Sequence, residues 1–139
     1  MDEALLAAYR ATEYRVRLAR GGWAVIHVDQ PLPVELHPLA QTLPWGFITA
    51  WNPRSELAPR ATNRQAQHAL LAHLRALPET MAIRPGVGVS GDGGWKEPSF
   101  WVVGPTAATL DPLARRFGQL GYVHGEGASP AQLRLTPAT

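Results

Sequence analysis

From residue 45 onward the hydrophobic pattern changes period in the order strand, helix, strand, strand, helix, strand, and that succession leaves few folds open to the chain. Trp45-Gly-Phe-Ile-Thr-Ala-Trp51 is a β-rich run stopped by the turn-initiating pair Asn52-Pro53. Thr62-Asn-Arg-Gln65 has the form of a capping box, and Ala66, Leu70, Leu74 and Leu77 then recur at helical spacing before Pro78. Met81 to Val89 reads as a strand interrupted at Pro85-Gly86. Gly91-Asp-Gly-Gly94 is turn chemistry, and Ser99-Phe-Trp-Val-Val-Gly104 is the returning strand. Thr106 is placed to cap a second helix whose inward face is Leu110, Leu113, Phe117 and Leu120, with Gly121 placed to end it. Tyr122 to His124 and Gln132 to Leu135 are candidate closing strands. The fold class expected is α+β, with residues 45–135 in the split βαβ (βαββαβ) arrangement of ferredoxin-like domains.

The N-terminal part is expected to extend that sheet. Asp2 can cap a short helix with Leu5, Leu6 and Tyr9 on one stripe, which would pack as a lid and end near Thr12. Tyr14 to Leu18 alternates strictly, Gly21-Gly22 suits a tight turn, and Trp23 to Val28 resumes, so a β-hairpin is expected. Residues 29–44 carry Pro31, Pro33, Pro38 and Pro44 and read as a surface loop, because prolines remove backbone donors. A chain of 139 residues supports one core, so a single domain is expected: 1–44 as helix, hairpin and loop, 45–139 as the ferredoxin-like core.

Composition narrows the function classes. With no cysteine, disulfides, iron–sulfur clusters and thiol nucleophiles are excluded. The longest apolar runs fall far short of a bilayer span, and Met1-Asp-Glu lacks a basic leader start, so a soluble, cytoplasmic protein without membrane contact is expected. Twelve of the thirteen basic residues are Arg, which suits carboxylate and phosphate but also follows from a GC-rich genome. A net charge of only +2 argues weakly for nucleic acid. The five histidines lack metal-ligand spacing, so no metal is expected. Gly86-Val-Gly-Val-Ser-Gly91 matches a dinucleotide fingerprint literally, yet a turn and a strand follow it where a helix must open, so no cofactor is expected either. Asp111 and Arg115, four apart on a helix, read as a surface ion pair.

In the split βαβ topology the first strand ends at the sheet edge where its helix begins, and the later hairpin turns back at that same edge. Three stretches are therefore expected to meet: Trp51 and Asn52, the helix start Asn63-Arg64, and the hairpin bearing Asp92, Trp95 and Glu97. A helix start beside an Arg suits an anion, and the two indoles offer flat walls to a base or sugar. Each residue also has a plain structural use: Asn52 in its own turn, Arg64 in a surface pair with Glu97 or Asp92, the indoles in the core. Ser55, Ser90 and Ser99 qualify as nucleophiles by position alone.

Phe47-Ile-Thr-Ala-Trp-Asn-Pro53, Asn63-Arg64 and Gly91-Asp92-Gly93 with Trp95, Glu97, Pro98 and Ser99 resemble a bacterial family known only as domain of unknown function 3293. The likeness runs from Leu6-Ala-Ala-Tyr9 and Thr12-Glu-Tyr14 to Phe117-Gly-Gln119 and departs from the family at Gln30–Pro44 and after Gly125. It implies a small stand-alone bacterial protein and names no activity. The first expectation is a binding or regulatory module holding a small anionic or nucleotide-like ligand through Asn52, Asn63, Arg64 and Trp95. A hydrolase or transferase using Glu97 as acid or base and Arg64 as charge stabiliser comes second. Nucleic-acid binding, with bases on sheet aromatics and phosphates on Arg15, Arg17 and Arg20, comes third. Homodimerisation through sheet edges or the Pro-rich loop is compatible with all three.

Overall fold

The computed structural model describes residues 3–138; the Asp2 cap lies outside them. Helix α1 (Glu3–Ala11) leads into β1 (Glu13–Arg17) and β2 (Trp23–Ile26), the hairpin that the alternation and Gly21-Gly22 specify. The Pro-rich stretch departs from expectation. It holds a short 3₁₀ turn (Val34–Leu36) and a one-turn helix, α2 (His37–Ala40), and it buries Leu32, Leu36 and Ala40 completely or nearly so. Prolines remove donors but not apolar surface, and here the apolar positions four apart win.

Strand β3 (Pro44–Ile48) is followed by α3 (Arg60–Ala76), β4 (Ala82–Val89), β5 (Lys96–Val103), α4 (Ala107–Arg116), β6 (Gly121–Glu126) and β7 (Gln132–Leu135). The capping box does not form: Pro59, whose φ is fixed, takes the N-cap position, α3 starts at Arg60, and Thr62 sits exposed in its first turn. That start turns Asn63 inward, where it is buried. Pro85 does not interrupt β4, because pairing with β1 stops one residue away, at Gly86, and no partner there asks for its missing N–H. Thr106 does cap α4, its hydroxyl accepting from the Thr109 amide at 3.3 Å. The left-handed residue after α4 is Gly118, Gly121 opens β6, and Leu120 is exposed.

All neighbouring strands are antiparallel in one seven-stranded sheet of order β2-β1-β4-β5-β3-β6-β7, so the fold is α+β. The sheet curls until its edges approach: Val28 bridges Ala131 and Pro31 bridges Pro130. Its concave face, with Tyr14, Val16, Trp45, Phe47, Trp101, Val103 and Val123, packs on Leu32, Leu36 and Ala40. The convex face buries Ile48, Val102 and Tyr122 under Leu70 and Leu74 of α3 and Leu110, Leu113 and Ala114 of α4. Asp111 is buried and does not pair with Arg115. Its carboxylate accepts from Tyr122 Oη at 2.6 Å and from Arg134 Nε at 2.8 Å, which ties α4 to β6 and β7 and holds the carboxyl below its usual range. Arg115 instead donates to the Pro137 carbonyl at 3.2 Å. No described helix is long and apolar enough to cross a membrane.

Candidate functional site

Period-two alternation decides what faces the inside of the curl at its α1 end. Tyr14 of β1, Gly88 of β4 and Glu97 of β5 lie in one cross-strand row, and Thr49, Phe47 and Ser99 continue that face. A glycine in the middle of the row leaves space between a phenol and a carboxylate. A Cβ added at Gly88 would meet only Thr12 Cγ2, at 3.7 Å. The result is a cavity of about 510 Å³ closed on one side by Leu5, Ala8, Tyr9 and Thr12 of the α1 segment, and on the other by Asn52, Trp95 and Gln119.

The rim is held by a pair of buried amides. The Asn52 amide N–H donates to Asn63 Oδ1 at 2.8 Å, and Asn63 Nδ2 donates to Asn52 Oδ1, also at 2.8 Å. Asn52 Oδ1 further accepts from the Ala58 amide at 3.0 Å. Asn52, Arg54 and Ser55 all have positive φ, so these bonds hold together a backbone that would not persist alone. On the hairpin, Ser90 Oγ donates to Asp92 at 2.7 Å, and Asp92 also accepts from the Gly94 amide at 2.9 Å, which lowers its pKa. Gln67 of α3 ties the end of β3 to β5: its Oε1 accepts from the Ala50 amide at 2.9 Å, and its Nε2 donates to the Pro98 carbonyl at 3.0 Å.

Three of the expected stretches do meet. Trp51, Asn52, Asn63 and Trp95 line a second, shallower groove outside the cavity, together with Arg60 and Lys96; Asn52 and Trp95 line both spaces. Asp92 and Glu97, with Ser55, Ser90 and Ser99, belong to the cavity wall. Arg64 is exposed on α3 and lines neither space, because the helix register that turns Asn63 inward turns its neighbour out. Sequence reasoning missed Tyr9, Tyr14, Phe47, Thr49, Gly88 and Gln119. The alternation of Trp45, Phe47 and Thr49 was a usable signal; the contribution of α1 was not visible beyond its reading as a lid.

Electrostatically the cavity is acidic, since among the described residues its charged lining side chains are Glu97 and Asp92. Burial pushes the Glu97 carboxyl up, while the side chains of Trp95 and Asn52 favour its ionised form and pull the other way. Tyr9 is pushed up to about 12, by burial first and then by the Glu97 charge; Tyr14 rises for the same reasons and through its proximity to Tyr9. Both hydroxyls are engaged: Tyr9 donates to the Gly121 carbonyl at 3.3 Å and Tyr14 to the Tyr9 carbonyl at 2.7 Å.

A family model described as Protein of unknown function (DUF3293) matches residues 48–121, more than half of the chain. The chain belongs to DUF3293. The DUF3293 match includes Asn52, Asn63, Gly88, Trp95, Glu97 and Gln119, whereas α1 and β1, which complete the cavity, precede it. No curated protein and no solved structure matches the chain.

Because folding raises the Glu97 pKa above 4.5, the ionised form is disfavoured in the native state; the cost is full above that raised pKa, fades as pH falls through it toward the unfolded value, and is gone below the unfolded value. Glu97→Gln should therefore raise Tm by about 1–3 °C at pH 7, with the gain shrinking toward pH 4. Thermal melts across that range check the sign, and a lower Tm for the variant at pH 7 would contradict it.

Proposed function

We propose that this chain is a small-molecule-binding module, with the body of its ligand in the cavity between α1 and the β4–β5 hairpin. The observation that carries the reading is the cavity itself, about 510 Å³ in volume and lined by aromatic rings with a few polar groups, which is the usual form of a ligand site. The anionic or nucleotide-like character expected of the ligand finds its support in the outer groove, where Arg60 and Lys96 stand beside Trp51 and Trp95 in the place expected of Arg64. For the fold, the order β4-β5-β3-β6 with α3 and α4 on one face supports a ferredoxin-like core enlarged by the N-terminal hairpin and β7.

The enzymatic reading keeps Glu97 but lacks Arg64, which lies outside both spaces. The nucleic-acid reading lacks a platform: Tyr14, Trp45, Phe47 and Trp101 are buried, Arg15 pairs with Glu13, and Arg17 lies over Trp23 at 5.3 Å. A thermal-shift screen of nucleotides, phosphorylated metabolites and small aromatic amines and alcohols tests the proposal. A saturating ligand should raise Tm by about 5 °C or more. If no compound of any class stabilises the protein, the binding reading fails.

A further inference from the structure

Glu97 is half-buried and faces the cavity, yet among the described residues the ion pairs are Arg10–Asp29, Arg15–Glu13 and Arg134–Asp111. Among the described residues no Lys or Arg lines the cavity, and the other charged group there, Asp92, is also an acid. The phenols beside it do not supply a proton, because the hydroxyls of Tyr9 and Tyr14 donate to backbone carbonyls. The side chains of Trp95 and Asn52 favour the ionised Glu97 carboxylate, yet no cation offsets its charge, and a partly buried charge without a counter-ion is costly. Around it stand the rings of Tyr9, Tyr14, Phe47 and Trp95, whose faces attract positive charge, and Tyr14 and Phe47 already meet edge to face at 5.2 Å.

We infer that the cavity receives a small organic cation, a protonated or methylated amine, with its positive nitrogen against the Glu97 carboxylate and its carbon body among the aromatic rings. This rests on the cavity being the ligand seat. An anionic group is excluded from the interior by the two acids and belongs, where the ligand has one, to the outer groove. Gly88 supplies the room for the nitrogen, since it lies in register with both Tyr14 and Glu97 and carries no side chain.

Titration calorimetry on the full chain with four probes sharing one benzyl or phenyl body tests the inference: benzylamine, benzyltrimethylammonium, benzyl alcohol and benzoate. Both cations should bind at least about tenfold more tightly than the alcohol, and benzoate should not bind. Glu97→Gln, an isosteric change, should bring the two cations down to the affinity of the alcohol while moving the alcohol itself by less than about twofold. If the alcohol matches the cations in the unaltered protein, the cavity stands as a binding site and the cation preference is overturned. If none of the four binds, the inference is overturned, and the wider screen decides the fate of the cavity reading separately.

Discussion

Asn63→Ala should lower stability by about 3 kcal/mol, a Tm loss of roughly 10 °C, and weaken ligand binding at least tenfold. The side chain is 2% exposed and makes three hydrogen bonds: it accepts from the Asn52 amide and donates to Asn52 Oδ1 and, at 3.3 Å, to the Ala58 carbonyl. Truncation leaves the Asn52 N–H and the Ala58 carbonyl without that partner in a place water reaches poorly, and a buried unsatisfied group costs about 1–3 kcal/mol. It also releases the segment in which Asn52, Arg54 and Ser55 hold positive φ. The Arg54 amide bond to the Gly118 carbonyl, at 2.7 Å, the Gln119 Nε2 bond to the Trp51 carbonyl, at 3.2 Å, and the short-range bonds within the turn are then left to restrain it. Asn63→Asp keeps the acceptor, loses the donor and should fall between. Denaturant and thermal melts check the order, and an alanine variant within about 2 °C of the parent would show that the amide pair does not organise the rim.

Filling the cavity should have the opposite profile. Gly88→Leu should leave Tm within about 3 °C of the parent, or above it, and abolish ligand-dependent stabilisation. A Cβ at this position meets only an ordinary contact with Thr12, and a branched side chain suits a central strand better than glycine does. Gly86→Leu, two residues earlier on the same face, is the control. There a Cβ would stand 2.8 Å from both the Phe47 ring and the Arg15 carbonyl, so the variant should lose several kcal/mol through overpacking. Two glycines of one Gly-Val-Gly string thus have different jobs, close approach at Gly86 and open space at Gly88. If Gly88→Leu binds as the parent does, the cavity is not the ligand seat.

The order of elements was legible in the sequence because hydrophobic period and turn chemistry are local. So was the meeting of Trp51, Asn52, Asn63 and Trp95, which follows from that order alone. What escaped depended on competition between local rules or on contacts far apart in the chain. A Thr-x-x-Gln pattern competed with Pro59 for the N-cap of α3 and the proline prevailed, three residues earlier; of the Asn63-Arg64 pair expected at the site, Asn63 is buried and Arg64 is exposed. Prolines in 29–44 concealed a run that buries Leu32, Leu36 and Ala40. Asp111 faces two choices at comparable reach, Arg115 one turn away and Arg134 on β7, and only the packed sheet decides between them. The closing of the cavity by α1 escaped because no motif or periodicity ties that helix to a particular end of the sheet.

Each of the five tryptophans carries one indole N–H, and Trp95 stands at the cavity, which makes nitrogen-edited NMR a direct reporter of ligand position. During a benzylamine titration the Trp95 signal, assigned by its loss in Trp95→Phe, should shift progressively to saturation. The signal of Trp23, on the far hairpin, should stay fixed. A titration that saturates while Trp95 remains unmoved, or one that moves Trp23 in its stead, would place the amine elsewhere and contradict the account.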